Sequence, residues 1–171
     1  MTPSLSAAGR IEAGSGVEPM PALLFGSLAS IRKLEAEAEH FVARALTMMI
    51  RARYLVEANR MGAIALLDAC RTRLGEHFRR YQIFKHGQIF DPVVSFGPAS
   101  SKIVARGMKI DCMQLGETFS AYTNRWRKLS LRDWPTYRRD MLALVEMITT
   151  NLQDELRAMR QLLMIAKFHS S

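Results

Sequence analysis

The chain has 171 residues, 49% of them hydrophobic, which suffices for one packed domain and is too apolar for a disordered tail. Lys and Arg number 24 against 16 Asp and Glu, a formal charge of +8 that favours anionic partners without specifying one. No apolar run approaches the roughly 18 to 20 uncharged residues that span a bilayer. The first 22 residues lack the continuous apolar centre of a secretory signal, so the expected location is the cytoplasm, with no membrane contact. Cys70 and Cys112 form no C-x-x-C pair and read as small core residues rather than as a disulfide or a metal site.

Ten Gly and six Pro are few beside eleven Met and many Leu, Ala and Arg, and this predicts an all-α fold. Residues 1–27 show no sustained period and read as a flexible leader, with 28–168 as the folded domain. In the first helix Ile31, Leu34, Ala38, Phe41, Ala45, Met48, Ala52 and Leu55 recur at threes and fours, with Ser30 as the N-cap. The second runs from Met61 through Leu67, Leu74, Phe78, Ile89 and Phe90 and is expected to stop at Asp91-Pro92. A third carries Met108, Cys112, Leu115, Phe119, Tyr122 and Trp126. In the fourth Asp133 is the expected cap, Pro135 lies in the first turn, and Tyr137, Met141, Leu144, Ile148, Leu152, Met159 and Leu163 form the stripe. Four amphipathic helices joined by short loops predict an up-down-up-down four-helix bundle.

Polar residues interrupt these stripes. The row Leu74, Phe78, Gln82, His86, Ile89 places an amide and an imidazole on neighbouring turns, and Glu155 falls between Leu152 and Met159. His40 beside Phe41 and Asp111 beside Cys112 stand at the edges of their seams. Together His40, Gln82, His86, Asp111 and Glu155 are the residue types that an internal metal site draws from facing helices, although each also reads as an isolated hydrogen-bonded group at a core edge. They number two imidazoles, two carboxylates and an amide, fewer strong ligands than a di-iron centre uses.

Ser95-Phe-Gly-Pro98, Asp111, the run Phe119-Ser-Ala-Tyr-Thr-Asn-Arg-Trp126 and Asp133-Trp-Pro135 together resemble bacterial hemerythrin-like proteins, over about residues 30–165. Glu39-His40 is similar to the Glu-His pair that opens that family's first helix. The resemblance implies a cation-binding four-helix bundle with its iron ligands on facing helices. Gln82 then stands at an imidazole position, His86 at the bridging-carboxylate position, and Met159-Arg160-Gln161 where a Leu-Tyr-Pro ending belongs. An amide is a weak iron ligand and an imidazole does not bridge two irons, so the implied di-iron site is degenerate.

Arg125, Arg127, Lys128, Arg132, Arg138 and Arg139 interleave with Trp126, Trp134 and Tyr137, a pattern that suits phosphates and base stacking, or else a solvated rim around buried aromatics. Arg71, Arg73, Arg79 and Arg80 read as another solvated face, and His77 and His169 as exposed and uninvolved. No phosphate-binding glycine loop, zinc motif or nucleophile elbow is present, so enzymatic catalysis is not expected. The expected function is a non-catalytic sensory or interaction module without a bound cofactor, engaging an unidentified protein partner. One alternative is a working non-heme iron protein binding oxygen or nitric oxide. Another is a basic adaptor for nucleic acid or an acidic protein.

Overall fold

The computed structural model describes residues 24–168; most of the expected leader, and His169, lie outside them. Every regular element among the described residues is helical. Helix α1, Leu28–Glu57, starts at Ser27, three residues before the expected cap, because the extended Ser27 backbone lets its hydroxyl accept the Ser30 amide at 3.2 Å. It ends in a Schellman motif: Asn59 takes a left-handed φ of 54°, its N–H donates to the Val56 carbonyl, and the Arg60 N–H reaches back to Leu55.

A short 3-10 turn, Met61–Ala63, leads into α2, Ile64–Lys85. The chain does not stop at Asp91-Pro92. Its backbone widens instead into a π-helical turn over His86–Phe90, closed by the Asp91 N–H on the His86 carbonyl, and continues as α3, Asp91–Phe96. Pro92 therefore falls in the first turn of α3, where its fixed φ suits the helix. Gly97 then turns the chain; a Cβ there would stand 2.6 Å from the Val93 carbonyl oxygen. Helix α4, Ala99–Arg125, begins well before Met108, and a 3-10 turn, Leu131–Asp133, precedes α5, Trp134–Phe168. Asp133 ends that turn with its carboxylate accepting the Ser130 hydroxyl at 2.5 Å.

The long helices share one core. All seven residues of the stripe expected on α5 are buried, and α1 meets them with Ile31, Ala38, Val42, Ala45, Met49, Ala52 and Val56. Each large aliphatic side chain removed from water contributes about 1.5–3 kcal/mol, so this face sets most of the stability. Helix α4 is held more lightly: along its length only Ser101, Ala105, Met108 and Cys112 are buried. No helix among the described residues is long and apolar enough to cross a membrane.

At one end the α1–α2 and α4–α5 connections are tied together. The Trp134 Nε1–H donates to Asn59 Oδ1 at 2.8 Å, and Arg138 Nε donates to the Val56 carbonyl at 2.8 Å. Arg138 thus belongs to the fold rather than to a solvated rim, because the last carbonyls of α1 need donors. Asn59→Ala should cost about 1–3 kcal/mol in urea unfolding, losing both the hydrogen bond and the tolerated left-handed backbone, whereas Asn59→Gly should cost less because glycine keeps that backbone. Equal losses in the two variants would show that the backbone conformation contributes nothing.

Candidate functional site

Helix α2 turns a different row inward from the one its hydrophobicity suggests. Leu67, Arg71, Tyr81 and Lys85 are buried, with Leu74 and Phe78 half-buried between them. These six positions alternate by four and three residues and so remain on one face. Steps of four alone advance by about 40° each, which carries Gln82 and His86 off the seam to half-buried positions. Arg71, expected in solvent, is 8% exposed; its guanidinium holds Asp68 at 2.5 Å. His77, also expected in solvent, is buried, and its Nε2 lies 2.8 Å from the Phe41 carbonyl, which makes that nitrogen the donor and ties α2 to α1.

The chemistry concentrates around Lys85. Its side chain is 4% exposed, and its ammonium lies 2.5 Å from Oε1 of Glu155, whose side chain is 11% exposed. The same ammonium stands 4.5 Å from the centroid of the Tyr81 ring, a cation–π contact that partly replaces lost hydration. Tyr81 stacks in turn on Phe41, with centroids 5.3 Å apart. Its own hydroxyl, fully buried, has no hydrogen-bond partner. On the far side Cys112 of α4 lies 3.4 Å from His86 Nε2.

Burial governs the protonation of this cluster. It pushes the Glu155 carboxyl above its ordinary range, against the opposing pull of Lys85, and raises the Tyr81 hydroxyl and the Cys112 thiol. Cys112 is therefore a neutral thiol rather than a nucleophile. Burial also lowers the His86 imidazole, aided by the charges of Lys85 and Lys109.

A cleft of about 250 Å³ between α4 and α5 reaches this cluster from solvent, with Asp111, Asn151, Asp154 and Glu155 among its lining residues. A smaller void of about 50 Å³, lined by Tyr81, Gln82 and Lys85 among others, lies between α2 and α4, and Cys112 and Leu115 line both. The five residues that sequence suggests for a metal are distributed as follows. Asp111 and Glu155 line the cleft, Gln82 lines the smaller void, His86 faces Cys112, and His40 is exposed on α1. Among the described residues no group of three or more His, Cys, Asp or Glu is placed to hold a metal ion. Glu39, beside His40, pairs with Arg160 at 2.7 Å.

The basic segment has no exposed aromatic rings to offer. Trp126, Trp134 and Tyr137 are buried against one another, with Tyr137 5.4 Å and 5.8 Å from the two indoles. Arg125 and Arg139 share Asp140, at 2.8 Å and 3.7 Å, and Arg127 donates to the Asn124 side chain. No known family, curated protein or solved structure matches the chain.

Two expectations follow for stability. Lys85→Ala strands a buried carboxylate and should cost about 3–5 kcal/mol in urea unfolding, while Lys85→Met combined with Glu155→Leu should cost much less or stabilise. Equal losses would mean that the charges themselves are not what the interior must balance. The second concerns pH. Burial lowers the imidazoles of both His77 and His86 from an ordinary value of 6.5, so the stability they contribute is present above that value and is lost as pH falls through their folded-state values. The raised Glu155 acts oppositely, contributing more as pH drops through its folded value towards 4.5. Between about pH 7.5 and 5.5 the urea midpoint should therefore fall, and the fall should be smaller in His77→Gln. An unchanged fall would remove His77 from this explanation.

Proposed function

We propose that the chain is a cytoplasmic hemerythrin-like bundle, up-down-up-down in arrangement, whose di-iron site has decayed and which serves as a non-catalytic sensory or interaction module. The observation that carries this assignment is the ammonium of Lys85 against Glu155 in the bundle interior. A metal cation held by Glu155 would lie within a few ångströms of that ammonium, a repulsion on the order of several kcal/mol in a partly buried setting. The donors present do not fit iron: Glu155 is neutralised by Lys85, His86 is turned to Cys112, and His40 stands in solvent. Arg160, at the departure from the family's Leu-Tyr-Pro ending, pairs with Glu39 of the Glu-His pair at 2.7 Å on the half-exposed surface. A cationic side chain of the protein thus takes up the interior carboxylate that the resemblance sets near metal.

A bundle with a charge-balanced interior is free to act by being bound rather than by reacting. Metal analysis of protein purified from iron-supplemented growth tests the assignment. No stoichiometric iron and no oxo-bridge absorption are expected; about two irons per chain with that absorption would overturn it.

A further inference from the structure

We infer that α4 pairs, antiparallel and along its outer face, with the α4 of a second copy of this chain, giving a two-fold symmetric dimer. The inference goes beyond the assignment above and does not depend on iron, because the face concerned is turned away from the core.

Helix α4 carries two seams. The inward one buries Ser101, Ala105, Met108 and Cys112 and continues through the half-buried Leu115 and Phe119. A second seam alternates by three and four residues through Ile103, Arg106, Ile110, Met113, Glu117 and Ser120, and Ala99 and Asn124 extend the same spacing to both ends of the helix. Every residue of this second seam is exposed, Ile103 at 70%, Ile110 at 56% and Met113 at 57%. The spacing is the seven-residue repeat of a coiled coil: Ile103, Ile110 and Glu117 take one of its two core positions, and Arg106, Met113 and Ser120 take the other. A surface helix ordinarily sets one apolar stripe on the core and polar residues opposite, whereas α4 sets large aliphatic side chains on both faces.

Charge selects the occupant and its direction. Arg106 and Glu117 are both exposed on the seam, and among the described residues neither is held in an ion pair or a side-chain hydrogen bond. A two-fold axis between Asp111 and Cys112, at the middle of α4, maps the seam onto itself. Ile110 then meets the partner's Met113, Arg106 meets the partner's Glu117, and Ile103 meets the partner's Ser120, each contact being made twice. The central layers are apolar, and an ion pair closes them on either side. A parallel pair would instead oppose Arg106 to Arg106 and Glu117 to Glu117, which like charges disfavour. One Arg and one Glu leave the seam without the net positive charge that would draw a nucleic acid. A single helix pair makes a small interface, so the dimer belongs to the weak and reversible class.

Sedimentation velocity of the full chain, over a concentration series reaching about 1 mM, tests the proposal. Dimer should appear as concentration rises. Ile110→Glu should keep the helical circular dichroism of the wild type and abolish the dimer. Arg106→Glu should weaken association at least about tenfold, since two attractive contacts become repulsive. Adding Glu117→Arg to that same chain should restore wild-type association, a recovery that a parallel pair does not give. A chain that stays monomeric throughout, a dimer that survives Ile110→Glu, or a double reversal no tighter than Arg106→Glu alone overturns the proposal. None of these outcomes touches the iron content, so the function assignment stands or falls separately.

Discussion

An ammonium and a carboxylate buried together between helices set the terms for the rest of this molecule. Each alone would be costly away from water, and buried ion pairs of this kind often add little net stability over a well-packed apolar pair of similar volume. Retaining them fixes which face of α2 points inward, because Lys85 must reach Glu155 across the bundle with its ammonium over the Tyr81 ring. The Tyr81 ring continues into Phe41, and the Phe41 carbonyl receives His77, so one polar contact is tied through aromatic packing to the α1–α2 interface.

Two further devices hold the frame around it. The π-helical turn at His86–Phe90 absorbs Pro92 without breaking the helical run, and it places His86 beside Cys112 of α4. At the opposite connections, Trp134 and Arg138 bind the left-handed Asn59 and the last carbonyls of α1. Between these anchors α4 touches α5 sparingly, and the gap that results is the cleft above Glu155. Light packing and an accessible polar interior share one cause: α4 brings few large apolar side chains inward.

Much of the fold was legible in the sequence. Helix α5 repeats large apolar residues at threes and fours with little ambiguity, and every expected stripe residue is buried. On α1 the same seam appears slightly rotated, with Val42, Met49 and Val56 deeper than Phe41, Met48 and Leu55, because adjacent apolar residues make either frame equally hydrophobic. Helix α2 misled for a physical reason. Its inward row contains Arg71 and Lys85, which a hydrophobicity pattern assigns to solvent, while the steps Phe78, Gln82, His86 keep a spacing of four that drifts off the face. The alternation Leu67, Arg71, Leu74, Phe78, Tyr81, Lys85 was the available signal, and it required accepting cations in a core. Glu155 was visible as a fault in the α5 stripe, but its partner was not, since pairing across helices depends on their relative rotation.

Crystals grown from iron-supplemented protein, with anomalous scattering recorded at the iron edge, test most directly whether Lys85 takes the place of a metal. The expected map shows the Lys85 ammonium in contact with the Glu155 carboxylate and no anomalous peak near either. An iron peak bonded to Glu155, with Lys85 swung away, would contradict it.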